Sequence, residues 1–228
     1  MLLTAALMAS PSHAIDPVEI SYTLSMVSSS FGNATLGRID STLTKTDSGY
    51  AVMSVTKAQG MAAIIIGSNE QQACEFEIND GRAVPKSYGG GRIGKSDYDV
   101  DFDWAERKIS FASGESIDMP KGYVVDNCIM PFAAAILKGE GLGEESMYVV
   151  DGKKKRIRGY TLSSSSEETL ETVLGPKKTI KMVLAREFKP ERTFTLWLSK
   201  DNQYIPIKME EQRKSRTTTM MVNSLELI

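Results

Sequence analysis

The stretch that decides the fold is Ser96–Phe111, S-D-Y-D-V-D-F-D-W-A-E-R-K-I-S-F. Asp97, Asp99, Asp101 and Asp103 alternate with Tyr98, Val100, Phe102 and Trp104. An extended chain turns successive side chains to opposite faces, so this spacing sets the carboxylates on a wet face and the apolar groups on a buried one. That is the pattern of an antiparallel sheet with one solvated side. A partner strand follows at Lys108–Phe111.

The same two-faced pattern extends toward the N-terminus. Ile20, Tyr22, Leu24 and Met26 alternate with Ser21, Thr23 and Ser25. Strands are expected at Ala34–Lys45 and Tyr50–Lys57 around the turn Asp47-Ser48-Gly49. Cys74, Phe76 and Ile78 alternate with Glu75 and Glu77, and Asn79-Asp80-Gly81 turns the chain into a strand ending near Tyr88, with Pro85 at an edge or strand start. Gly89-Gly90-Gly91-Arg92-Ile93-Gly94 has the glycines of a phosphate loop. It lacks the G-K-[ST] ending and opens no helix, so it reads as a hairpin connection.

Beyond the acidic strand, one helix is predicted. Ile129, Phe132, Ala133, Ile136 and Leu137 fall at i, i+3, i+4, i+7 and i+8. Asp126 or Asn127 can cap the start, Pro131 belongs in the first turn, and Gly139 is placed to end it. Strands resume at Met147–Val150, Arg156–Leu162, Thr169–Leu174, Thr179–Ala185, Arg192–Ser199, Tyr204–Glu211 and Thr217–Leu227, with turns at Asp151-Gly152 and Gly175-Pro176. The run Ser163–Ser166 reads as a loop or strand edge. No domain boundary stands out, although the central helix offers a division between two sheet halves.

The chain has 228 residues and a formal charge of -2. Near-neutrality removes the electrostatic basis for nucleic-acid binding. No run of about 18 apolar residues marks a transmembrane helix. The first fourteen residues, M-L-L-T-A-A-L-M-A-S-P-S-H-A, read as the end of a secretory signal, with Ser12-His13-Ala14 as a small-x-small cleavage site. The basic start of such a signal is missing, as it would be if the true start lay upstream. Residues 15–228 then form a single β-rich domain outside the cytoplasm. His13, the one histidine, would be removed, and with it any His-dependent triad or imidazole metal site.

The four aspartates do not make a calcium loop: the sixth and twelfth positions hold Phe102 and Lys108 where Gly and Glu are needed. A straight strand also spreads alternate carboxylates ~7 Å apart. Cys74 and Cys128 are the only cysteines. An oxidising compartment favours a bridge between them, closing a loop of about 50 residues. Two buried thiols are the alternative. Lys153-Lys154-Lys155-Arg156, with Arg213, Lys214 and Arg216, read as charged hairpin tips or as a surface for anionic lipid head groups or cell-wall polymers. No Ser lies in a G-x-S-x-G context and no carboxylate pair is singled out by spacing. The run Gly60–Gly67, G-M-A-A-I-I-I-G, is either core or an apolar wall over a ligand cavity.

Phe76-Glu77-Ile78-Asn79-Asp80-Gly81 with Pro85, Val100-Asp101-Phe102-Asp103-Trp104, Val149-Val150-Asp151-Gly152, and Thr195-Leu196-Trp197-Leu198-Ser199 followed by Pro206-Ile207-Lys208 form an ordered series. In this order and spacing, from about Ile20 to Leu227, the chain resembles the bacterial family of proteins of unknown function DUF3108. The resemblance implies a β-rich fold and an envelope location, and offers no catalytic residues to carry over. A looser likeness, of fold alone, is to periplasmic lipoprotein carriers, curved half-barrels that hold acyl chains.

The fold expected is mainly all-β: a strongly curved antiparallel sheet or partial barrel, with one short helix on its concave face. The function expected is that of a non-enzymatic periplasmic protein of a Gram-negative type envelope, without cofactor or metal. It would bind a lipid or acyl chain through Met61, Ile64, Ile66, Phe132 and Ile136. Methionines such as Met26, Met53, Met130, Met182, Met209 and Met221 suit irregular apolar contents. The competing expectation is a packed scaffold that docks on another envelope protein.

Overall fold

In the computed structural model, residues 14–29, 32–60, 69–138, 142–143 and 145–228 are described. Met61, Ile64 and Ile66 lie outside them, as does His13. No helix among the described residues is long and apolar enough to cross a membrane.

Two meanders meet at the chain ends. From the N-terminus, β1 (Val18–Ser28), β2 (Gly32–Thr46), β3 (Gly49–Ala58), β4 (Glu70–Asn79), β5 (Arg82–Arg92), β6 (Tyr98–Asp103), β7 (Lys108–Phe111) and β8 (Ser116–Asp118) each pair with the next. The second half comprises β9 (Tyr123–Asp126), α1 (Met130–Ile136), β10 (Met147–Asp151), β11 (Arg156–Leu170), β12 (Lys177–Arg186), β13 (Lys189–Ser199), β14 (Pro206–Arg213) and β15 (Arg216–Leu227). β1 pairs with β15 from Val18 against Leu227 to Ser28 against Arg216. The described strands thus form one open sheet of fifteen, with β8 and β9 as its edges. All ladders are antiparallel except β9 with β10, which α1 connects as a crossover.

The acidic stretch behaves as its spacing requires up to Asp103. Val100 is 1% and Phe102 9% exposed, whereas Asp99, Asp101 and Asp103 face solvent. Trp104 is different: it lies in the turn after β6 and is 37% exposed. Its indole N–H donates to the Pro85 carbonyl at 2.7 Å, just beyond the Ser87–Asp101 pair where the β5–β6 ladder stops.

Three other expectations are corrected. The serine run is not a loop: β11 passes straight through it, pairing Ser164 to Ser166 with Val183 to Lys181 after a bulge at Leu162/Ser164. The strand expected at Thr169–Leu174 is the end of β11, and the chain turns at 172–175. Helix α1 carries no one-sided stripe: Met130, Phe132, Ala133, Ala134, Ala135 and Ile136 are all buried. A helix inside a curved sheet has wall on every side. Lys138 takes a left-handed conformation at its end (φ 53°), and Gly139, expected to end the helix, lies outside the described residues.

Burial is graded along the strands. At the end bearing the turns 47–48, 80–81 and 200–204, the inward side chains Val18, Tyr50, Phe76, Leu198 and Ile207 are sealed. Toward the other end the same strands present half-buried Leu24, Ser54, Thr56, Gln72, Phe194 and Glu211. Helix α1 packs against β5, β9, β13 and β14 and fills the sealed half. The opposite half is left hollow.

The sheet does not close into a barrel, yet its edge is latched. β9 lies against β5 without a backbone ladder: the Ala83 N–H donates to the Tyr123 hydroxyl oxygen at 3.2 Å. The Arg82 guanidinium sits 5.2 Å over the Tyr123 ring and reaches Glu145 at 2.6 Å. Gly152 abuts Tyr98 and Val100 so closely that a Cβ would come within 2.7 Å of both, which is why this contact needs glycine. Cys74 of β4 and Cys128, before α1, form a disulfide across this gap with Cα atoms 6.2 Å apart.

Candidate functional site

The hollow end contains a cavity of about 340 Å³. Its deep apolar surface is made by Met130, Pro131 and Phe132 at the start of α1, together with Tyr22, Cys128 and Met209. Ile39, Met220 and Phe194 continue it along the walls, while Ser41, Ser54, Thr56 and Gln72 add polar atoms. The Tyr22 hydroxyl donates to the Pro206 carbonyl at 2.7 Å, and burial pushes its pKa well above the usual tyrosine range. It is a fixed polar point on the cavity floor, not a proton donor to anything bound.

The alternating pattern explains the lining. In β14, Ile207, Met209, Glu211 and Arg213 share one face, and the first two are sealed while the last two emerge into the hollow half. In β13, Leu198 and Leu196 are sealed, and Phe194 follows them into the cavity. Strand sequence therefore grades the interior from aliphatic to charged.

Charge gathers on one wall. Arg158 of β11 and Arg213 of β14 line the cavity. Asp151, which is buried, takes an ion pair from Arg158 and stands 3.5 Å from Arg156 Nε. Arg213 Nε donates to Glu211 at 2.6 Å. The guanidinium of Arg186 is held below its ordinary pKa, first by burial and then, against an opposing contribution from Tyr160, by the neighbouring Arg158, Arg192 and Arg156.

Of the residues named from sequence, Phe132 lines this cavity, and Ile136 is buried in the core instead. Met61, Ile64 and Ile66 fall outside the described residues, between Gly60 and Asn69. Sequence reasoning named Arg156 and Arg213 as a basic surface but missed Arg158, Arg186 and Arg192 and the wall the five form. Its members are spread over four strands, and only the fold brings them together.

Other candidate chemistry falls away. Cys74, Asp126 and Cys128 offer atoms within 4.8 Å of one another, but both sulfurs are in the disulfide and have no thiolate to give a metal. Asp126 is fully buried; its Oδ1 accepts the N–H groups of Cys128 and Ile129 at 2.7 and 2.9 Å and shapes the entry to α1. Burial raises its pKa to about 7 against those two hydrogen bonds. The Lys153–Arg156 run is no free basic tip: Lys153 pairs with Glu70, Lys155 with Glu115 and Arg156 with Asp151. A larger depression, about 680 Å³, lies on the outer wall of β2–β6 where Ala51, Ala73, Gly89 and Gly91 leave little side-chain bulk. Of these two, the inner cavity joins an apolar floor to converging charge.

The backbone resembles a beta-barrel-like protein of domain of unknown function DUF1849 from Brucella abortus, with a TM-score of 0.60 and 11% identity over 94% of this chain and 98% of that one. This likeness concerns the fold alone. A putative outer membrane lipoprotein-sorting protein domain from Vibrio parahaemolyticus aligns over 93% of this chain and 85% of that one at 8% identity, with a TM-score of 0.27. A DUF1329 family protein from Desulfovibrio piger does so over the same shares at 7% identity and a TM-score of 0.25. Superpositions of that quality carry no argument. No curated protein matches the sequence. The family model for Protein of unknown function (DUF3108) matches residues 20–222, and the chain belongs to that family.

Proposed function

We propose that this chain is a non-enzymatic protein of the cell envelope that binds a lipid or acyl chain in the cavity at the hollow end of its sheet. The observation that carries the reading is the half-empty interior. Side chains that are sealed at one end of β1, β3, β13 and β14 give way along the same strands to a cavity of about 340 Å³ floored by Met130, Pro131 and Phe132. A volume near the lower end of small-molecule sites, apolar below and polar at the rim, suits an amphipathic guest. The packed-scaffold alternative needs a filled interior, which these half-buried inner residues do not supply.

Export to the periplasm is supported by the signal-like residues 1–14 and by a bridged cysteine pair, which persists in oxidising compartments. The test is native mass spectrometry of protein purified without detergent, followed by titration with a fluorescent fatty acid. Adducts of lipid mass and saturable binding are expected. Ligand-free protein that also fails to bind the fatty acid would sink the proposal.

A further inference from the structure

The inner faces of β11–β14 end, on the open side of the sheet, in Arg156, Arg158, Arg186, Arg192 and Arg213. Strand pairing sets them together: Arg192 stands directly opposite Arg213, and Arg186 opposite Tyr160, whose neighbour on the same face is Arg158. Like charges placed opposite each other in a ladder are destabilising. Among the described residues, only two carboxylates offset these five cations, Asp151 beside Arg156 and Arg158, and Glu211 beside Arg213. Glu187, next in sequence to Arg186, instead accepts from the Ser146 hydroxyl at 2.6 Å. Among the described residues, Arg186 and Arg192 have no ion-pair partner.

Hydrogen bonding tells the same story independently of charge. The Nε atoms of Arg158 and Arg192 are buried and donate no hydrogen bond, and the buried Nε of Arg156 has only the ion pair to Asp151 at 3.5 Å, without a hydrogen bond. Arg158, with its side chain only 10% exposed, spends its ion pair on Asp151 through Nη2 and leaves Nε empty. A buried donor without an acceptor costs stability, and arginine does not escape by losing its proton. What satisfies such a wall is an anion with several oxygens, since the planar fork of guanidinium donors matches phosphate and carboxylate.

We propose that this wall binds the anionic headgroup, phosphate or carboxylate, of an amphiphile whose chain lies on Met130, Pro131 and Phe132. This deepens the lipid-binding reading and rests on it. Arg158 and Arg213 line the same cavity as that apolar floor, so one guest reaches both. The orientation follows: headgroup toward β11–β14, chain toward the start of α1.

The experiment is calorimetric titration of the full chain and of R186Q/R192Q with decyl phosphate, decanoate, decanol and inorganic phosphate. Neither substituted arginine holds an ion pair in the structure, and a thermal melt checks that the variant is folded. The single variant R192Q gives the same reading if the double variant melts early. The two anionic amphiphiles are expected to bind about tenfold more tightly than decanol, and the substitutions to lower their affinity about tenfold, or about 1.4 kcal/mol, with decanol unchanged. If decanol binds as tightly as the anions and the variant alters nothing, the headgroup site is wrong while the cavity stands. If inorganic phosphate binds as tightly as decyl phosphate, the wall is a site for the free anion and the headgroup assignment fails. If none of the three chain-bearing ligands binds, the cavity reading falls and takes this inference with it.

Discussion

Cys74 and Cys128 are bonded to each other across 54 residues of chain, and they join β4 to the turn between β9 and α1, with which β4 shares no ladder. The bond ties the corner between β9 and α1 to β4, on the other side of the gap where the sheet fails to close. It holds the helix in the interior and fixes one wall of the cavity, because Cys128 lines it.

Replacing both cysteines by alanine is therefore expected to lower stability by about 2–4 kcal/mol, the range for a bridge closing a loop of this length. Urea unfolding of wild-type protein with and without reductant should reproduce the loss. Coincident curves would show that the latch contributes nothing.

Asp126 makes stability depend on pH. Its pKa is raised to about 7 in the folded protein, chiefly by burial, while an unfolded aspartate titrates near 3.9. Between those values the folded state holds a proton that the unfolded state has lost, so folding is weakened as pH rises from about 4 to about 7. The loss contributed by this group is at most ~4 kcal/mol, and it levels off above the folded pKa. Asp126→Asn keeps an oxygen for the N–H groups of Cys128 and Ile129 and removes the titration. Its stability should change less between pH 4 and 7 than that of the wild type, and parallel profiles would contradict the assignment.

Phe188 occupies the two-residue connection between β12 and β13 with φ at 58°, and it is 96% exposed. A bulky residue in the left-handed region costs on the order of 1 kcal/mol, and nothing is gained here by burial. Phe188→Gly or Phe188→Asn should raise the stability by about that amount in thermal or urea unfolding. An unchanged or lower value would mean that the ring makes a stabilising contact.

Ile39 stands half-buried on the cavity wall. Ile39→Trp extends into open space, so its stability cost should stay below about 1.5 kcal/mol. Fatty-acid binding should fall at least about tenfold. Undiminished binding would place the guest elsewhere.

What could be read from the residues alone, and what could not, divides along the range of the interactions. Ser96–Asp103 announced a two-faced strand because the pleat is a local property, and it stops at Trp104 because the ladder that enforces it stops there. Phe132 was within reach of sequence reasoning because a large apolar residue in a short, mostly apolar helix is buried whichever way it faces. Ile136 is equally apolar but lies among core side chains, since composition states that a residue is buried without saying against what.

The sequence by itself determined most of the strands and turns and the position of the helix, which follow from spacing and residue type, but not β8 and β9, nor that β5 continues through Gly89–Gly91 and β11 through the serine run. Only the tertiary structure decided that the sheet stays open, that the helix fills one half of the interior and that the other half is hollow. It alone brought Arg156, Arg158, Arg186, Arg192 and Arg213 onto one wall. The alternation of a strand fixes which side chains share a face, whereas the curvature of the whole sheet decides which end of that face meets a filled core and which meets open space.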